Sequence, residues 1–272
     1  MTAATAIVRT KDKRDTLERA LRSLRDQTAD VEIVVVDSGS RDGTLDIARR
    51  WADQLIEIPA EEFTFGGALN LGAKAARTPI HLALSAHCHL DRGDWVERAL
   101  AHYRRPEVVA VNGADFDRHG ARLSGPVDQT VTEARADPGW GHSNHASTWR
   151  AAAWQRHPFD ERLEACEDKE WGLRVLADGG VIVFDPGLTV RGDHRRAQGP
   201  RALFDRSRRE SRALARAVPR RDMPLTEVLS TWWNADPRPG AGARVRGRLS
   251  PLRSAELAGR FVGRREGRGR RA

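Results

Sequence analysis

Residues 31–50 read VEIVVVDSGSRDGTLDIARR. The first seven form a β-branched run with few polar breaks, the pattern of a strand covered on both faces. A polar Asp–Ser–Gly turn follows. Then RDGTLDIARRWA (41–52) reads as a helix, with Asp42 or Thr44 near its start. A buried strand passing through a short polar turn into a helix is the repeating unit of an open α/β sheet.

Outward from that stretch the unit recurs. Upstream, Ala6-Ile7-Val8 is a short apolar strand, and RDTLERALRSLRDQ (14–27) sets Leu17, Ala20, Leu21 and Leu24 at helical spacing. Downstream, QLIEIP (54–59), PIHLALS (79–85) and EVVAVNGA (107–114) read as strands. GGALNLGAKAAR (66–77) and GDWVERALAHYRR (93–105) read as helices. The alternation predicts an α/β fold with an open, mostly parallel sheet, right-handed crossovers and flanking helices. Residues 115–150 are rich in Gly, Asp, His and Trp with little periodicity, so they read as a functional loop region or a poorly ordered one. CEDKEWGLRVLADGG (166–180) is a helix ending at glycine, VIVFDP (181–186) a strand, and 200–218 a basic amphipathic helix. From about residue 235 Pro, Gly and Arg dominate, and little fixed structure is expected. The chain thus divides into 1–198, a helical extension 199–235 and a basic tail 236–272.

The composition excludes several classes. Hydrophobic residues make up 39% and charged residues 31% of the 272, a water-compatible balance, and no run approaches the roughly 20 apolar residues of a membrane span. The first residues, MTAATAIVRTKDKRD, lack the basic-then-apolar order of a signal peptide, so a cytoplasmic protein is expected. Cys88 and Cys166 make neither a disulfide framework nor a CxxC pair. The net charge is +8, and from Asp236 onward 11 arginines face three acids. The body is therefore neutral and the tail carries the whole excess. Such a tail reads either as a solvated, disordered segment or as an accessory tether to an anionic membrane surface, which would set the protein on the inner face of the membrane.

Ligands of open α/β sheets bind outside the carboxyl ends of the strands. Arg9 and Thr10 follow the first strand, Asp37 ends the second, and Ser85 and His87 follow the fourth. DSGSRDGT also reads simply as a turn with a helix cap. Glu167-Asp168 opens a helix, where the dipole favours acids, yet paired acids also suit general-base work. LALSAHCHL (82–90) leaves three readings open: a metal site, a Cys–His nucleophile pair, or loop residues. His87 with a diphosphate and one further side chain suits Mn²⁺ or Mg²⁺. Zinc is disfavoured because no compact Cys/His set is visible, and no third group orients a nucleophilic Cys88. His194, in TVRGDHRR, gains weight only if it converges on His87.

Five segments in order, AIVRTKDKRDTLERALRSLRDQ, VEIVVVDSGSRDGTLDIARR, FTFGGALNLGAKAA, HLALSAHCHL and HPFDERLEACEDKEWGLRVLADG, resemble family 2 glycosyltransferases of the GT-A (Rossmann-like) fold. The likeness covers about residues 4–196 and looks closest to the rhamnosyltransferase-like bacterial branch. It implies an inverting transfer of a sugar from a nucleotide-diphosphate donor to an acceptor hydroxyl on a polysaccharide, a lipid-linked sugar or a small metabolite. Asp168 matches the family's catalytic base, with Glu167 beside it. Thr10 and Asp37 match base contacts with Arg9 nearby, and Asn70 is expected near the base or diphosphate. Where the family carries Asp-x-Asp, this chain has Ser85-Ala86-His87. Ser85 would bond ribose, and His87, with His194 as second ligand, would hold a Mn²⁺ or Mg²⁺ ion, weakly for want of carboxylates. GWGHSNHASTWR (139–150) resembles the acceptor side, with Trp140, His142 and Asn144 as contacts, although the same residues also read as loop-ordering groups. Two rivals stand beside this. One is a catalytically dead transferase-like domain. The other is a binding module gripping phosphates through its tail; the tail lacks interleaved aromatics, and no specific nucleic-acid partner is expected. A sugar nucleotidyltransferase is disfavoured because no glycine-rich loop follows the first strand.

Overall fold

The computed structural model describes residues 2–192, 199–218, 224–233 and 250–268. The opening alternation is present as β1 (Ala4–Thr10), α1 (Arg14–Arg25), β2 (Val31–Asp37), α2 (Thr44–Trp51), β3 (Gln54–Glu57), α3 (Phe65–Ala75) and β4 (Ile80–Leu84). All seven residues of β2 are buried, because β1 and β3 flank it in parallel and helices cover both faces. Ile33 and Val35 pack with Leu17, Leu21 and Leu24 of α1 and Ala48 of α2. Val34 and Val36 face the other way, into the cluster holding Ala68, Leu69 and Ala73 of α3. The apolar run has period-two faces, each with its own helices. At Gly72, α3 lies so close to β1 that a Cβ would stand 2.3 Å from Ile7 Cγ2.

After β5 (Cys88–His89), α4 (Trp95–Ala101) and β6 (Val108–Gly113) come β7 (Val127–Gln129), α5 (Val131–Ala136), β8 (Ala146–Arg150) and α6 (Ala151–Arg156). α7 (Glu167–Ala177), β9 (Val181–Asp185) and β10 (Arg191–Gly192) complete this part. The main sheet has the order β3-β2-β1-β4-β8-β6-β9-β7. Segment 115–150, expected to be largely loop, thus contributes two strands and a helix. β8 inserts between β4 and β6, antiparallel to both, and β7 lies antiparallel on β9. The carboxyl ends of β1 and β4 lie side by side while the chain first travels outward through β2 and β3, which makes a topological switch point there.

The described residues fall into two compact units. The first holds the main sheet and comprises 2–115, 122–162 and 167–192. The second comprises 116–121, 163–166 and the described residues from 199 on. In it lie α8 (Pro200–Ala217), α9 (Leu225–Trp233) and α10 (Pro251–Arg268). α10 corrects the expectation of little fixed structure over 251–268; the rest of the tail lies outside the described residues. No helix among the described residues is long and apolar enough to cross a membrane.

Candidate active site

The register of β1 on β2 pairs Thr10 with Asp37, so Arg9, Thr10 and Asp37 reach one sheet edge. Asp37 is fully buried. Its Oδ1 accepts from the backbone N–H of Gly39 (2.9 Å) and Ser40 (2.8 Å), and its Oδ2 from the Ser40 hydroxyl. The carboxylate braces the turn that follows β2, matching the turn part of the DSGSRDGT reading; α2 itself has Gly43 at its N-cap and no side-chain cap. Thr10 Oγ1 is buried with no hydrogen-bond partner among the described residues.

The β4–β8 register pairs Leu84 with Ala146, which brings residues 144–145 beside the end of β4. Ser85 N–H donates to the His145 carbonyl (2.9 Å), and the Ser85 hydroxyl to the Asn144 carbonyl (3.4 Å). His87 Nε2 lies 3.3 Å from His145 Nε2, the rings edge to face. A tight turn, Cys88 N–H to Ser85 carbonyl at 2.8 Å, returns the chain into β5. β10 pairs with β5, Gly192 opposite Cys88. His194, the expected second metal ligand, lies outside the described residues.

α7 starts with the two acids, as the sequence implies. Asn144 joins both: its backbone N–H donates to Asp168 Oδ2 and its side-chain Nδ2 to Glu167 Oε1, each at 3.2 Å. Arg9 Nη1 donates to Glu167 Oε1 (3.3 Å) and to the Phe65 carbonyl (3.0 Å). Its guanidinium lies 5.4 Å from the centre of the Phe65 ring. Lys169 Nζ donates to the carbonyls of Gly141 and His142, both at 2.8 Å, tying the 139–145 loop to α7. The acids stand in different surroundings. Glu167 is buried, and desolvation together with the neighbouring Asp168 charge raises its pKa against the pull of Arg9. Asp168 is only half-buried, and its Oδ1 accepts from the Lys169 backbone N–H (2.7 Å).

Four residues expected to contact ligand have partners within the protein. Asn70 donates to the Phe159 carbonyl (2.9 Å) and Glu161 Oε1 (2.8 Å), and accepts from Trp154 Nε1 (2.8 Å) and Phe159 N–H (3.0 Å). All four of its hydrogen-bonding positions are thus taken by the protein itself. His142 is wholly buried, its Nδ1 2.8 Å from Asn112 Oδ1, and burial lowers its pKa to about 3; it orders the loop. Trp140 stacks on Phe184 at 4.2 Å between ring centres, giving that face to the core. Asn144 is also buried, and its backbone N–H and side-chain Nδ2 partner the two acids. Sequence reading missed His145, Phe65 and Lys169. His145 stands in the run SNHAS (143–147) that leads into β8, and its significance depends on the register.

The model of the family "Glycosyl transferase family 2" matches residues 5–161. The chain belongs to this family. This family 2 chain is similar to the O-antigen biosynthesis protein RfbC of Myxococcus xanthus, 26% identical over 205 residues, which cover 65% of this chain and 16% of that protein. It is also similar to the O-antigen chain rhamnosyltransferase WbaN of Salmonella anatum, 24% identical over 190 residues, or 64% of this chain and 60% of that one. It therefore spans less than two thirds of either relative. The fold is shared with the mannosyltransferase PcManGT of Pyrobaculum calidifontis, whose structure is a complex with GDP-Man and Mn²⁺. The TM-score is 0.60 at 17% identity, over 96% of this chain and 70% of that one. S. aureus TarS 1–349 in complex with UDP-GlcNAc gives a TM-score of 0.58 at 15% identity, over 98% and 92%.

The donors near the end of β4 bear on the metal. Among the described residues, the clustered ligand atoms there belong to His87, Cys88 and His145, all within 4.8 Å of one another. Mg²⁺ takes oxygen donors in near-octahedral geometry, and two imidazoles with a thiol do not fit it. Those three side chains are therefore not a Mg²⁺ donor set, while the expected partner of His87, His194, lies outside the described residues.

Proposed function

We propose that this family 2 chain transfers a sugar, with inversion at the anomeric carbon, from a nucleotide-diphosphate donor to an acceptor hydroxyl. The observation that carries the reading is the Glu167–Asp168 pair at the start of α7, held by Asn144 and Arg9 beside the switch point of the sheet. Asp168 accepts the proton of the acceptor hydroxyl. The oxygen attacks the anomeric carbon and forms the new glycosidic bond as the bond to the diphosphate breaks. The nucleoside diphosphate leaves with the electron pair, and Asp168 later returns its proton to water. Glu167, held by Arg9 and Asn144, fixes the start of α7. Thr10 and Asp37 at the paired strand ends are the nucleotide contacts and Ser85 the ribose contact. Likeness to WbaN supports a deoxyhexose such as rhamnose as the sugar, and a saccharide or lipid-linked saccharide as the acceptor. Asp168→Asn is expected to lower kcat by about 10²–10⁴-fold, the usual contribution of a general base, with nucleotide affinity by calorimetry unchanged. Wild-type turnover in that variant would exclude Asp168 as the base.

The second unit supports a place at an anionic membrane surface. Leu225 and Leu229, one turn apart on α9, are 62% and 61% exposed, and α8 and α10 of the same unit are rich in arginine. Apolar side chains among cations suit a bilayer of acidic lipids. Sedimentation with phosphatidylglycerol vesicles should show binding that weakens with salt and in Leu225→Asp/Leu229→Asp. Equal binding to neutral vesicles would count against it.

A further inference from the structure

The disagreement between the donor set and Mg²⁺ has a positive side. We propose that His87, Cys88 and His145 form a three-donor site for a borderline divalent ion of the Zn²⁺ or Co²⁺ class. The two Nε2 atoms stand 3.3 Å apart. Two nitrogen ligands on a tetrahedral ion at ordinary Zn–N distances stand about 3.4 Å apart. One donor atom of each residue, the Cys88 sulfur included, lies within 4.8 Å of the other two. A thiolate selects Zn²⁺-class ions over Mg²⁺ or Mn²⁺, whose preference is for oxygen.

The scaffold is backbone-built and joins distant parts of the chain. Ser85 N–H to the His145 carbonyl, Cys88 N–H to the Ser85 carbonyl, and the β5–β10 pair fix where the three side chains start. A site on such supports needs little reorganisation to close on an ion. Beyond the three donors found among the described residues, a tetrahedral ion takes a fourth ligand in its remaining position. For that position only, the proposal rests on the glycosyltransferase reading, under which an oxygen of the donor diphosphate is the fourth ligand.

The test titrates untagged, chelator-treated full chain with Co²⁺, followed by visible absorption, and with Zn²⁺, followed by calorimetry. One ion per chain is expected, with the d–d bands of a tetrahedral ion and a thiolate charge-transfer band. Zn²⁺ should displace the Co²⁺, and a large excess of Mg²⁺ should leave the spectrum unchanged. Losing an outer-shell partner already costs 10–100-fold in metal affinity, so His145→Gln and His87→Gln should weaken binding at least about a hundredfold. Cys88→Ser should abolish the charge-transfer band. Melting curves of the metal-free variants keep the result readable if Cys88→Ser, whose side chain is buried, loses stability. An octahedral Co²⁺ spectrum, displacement by Mg²⁺ or Mn²⁺, or unchanged affinity in both histidine variants overturns the proposal. Calorimetry of UDP, GDP and dTDP on the chelated protein separates this from the transferase reading. Nucleotide binding without ion binding removes only the metal site, and ion binding without nucleotide binding removes only the fourth ligand.

Discussion

Asn144 is where the two acids of the site converge, one on its backbone and one on its side chain. Asn144→Ala keeps the backbone bond to Asp168 and removes the side-chain bond to Glu167. A hydrogen bond to a charged group contributes about 1.5–3 kcal/mol, so a roughly tenfold to hundredfold fall in kcat is expected, with nucleotide affinity unchanged. Steady-state kinetics beside calorimetry reads both, and a loss confined to nucleotide binding would contradict this role. Asn70 gives the opposite case. Asn70→Ala strands Trp154 Nε1 and the Phe159 N–H without an acceptor, at about 1–3 kcal/mol for each buried group. A lower Tm is expected, while folded protein binds nucleotide as before; a selective loss of nucleotide binding would restore its expected role. At this scale the sequence is legible where partners are adjacent, as with Glu167 and Asp168, whose place at a helix start is local. It is not legible for Asn70 and His142, because whether a polar side chain faces a ligand or the core depends on residues many positions away.

Among the elements, α3 and α10 show how close packing overrides composition. Gly72 lets α3 lie on Ile7 of β1, and a Cβ there would need the Ile7 side chain to move. Gly72→Ala should cost about 1–3 kcal/mol, the usual penalty for overpacking. In an Ile7→Ala background, where the contacted atoms are gone, the cost should shrink. Denaturant melts of the four proteins measure the coupling, and strictly additive costs would show that this contact is not limiting. In α10, glycines at 259, 263 and 267 each bring an α8 carbonyl, of Phe204, Arg208 or Arg212, to within 2.6 Å of where a Cβ would be. Each glycine weakens an isolated helix by about 1 kcal/mol relative to alanine, which is why the segment reads as unstructured. The close α8 contact is what the local reading lacks. β8 escapes notice for a related reason. ASTWR is short and lies between two strands, so burial on both faces leaves no alternation to read.

Over the whole molecule, buried histidines make stability depend on pH. Burial lowers His81 from 6.5 to about 4 and His142 from 6.5 to about 3. Between 6.5 and those values the unfolded chain binds more protons, so their contribution is full above pH 6.5 and is lost as pH falls. By pH 5 each costs roughly 2 kcal/mol. The Tm should therefore drop between pH 7 and pH 5, and His142→Gln should flatten that slope; an unchanged slope would assign it to other groups. Glu167 acts in the opposite sense. Its raised pKa means that the folded state keeps the proton longer, so its contribution falls as pH rises above the ordinary 4.5. The sequence by itself determined the α/β class, the buried parallel strands β1, β2 and β4, and the pair of acids at the start of α7. Those features rest on local periodicity and on neighbours within a few residues. Only the tertiary structure decided that β8 runs antiparallel beside β4, and with it that His145 meets His87 and Cys88 and that Asn144 meets both acids. The reason is register: a strand pairing brings together residues some 60 positions apart, and no local pattern in the chain encodes which pairing wins.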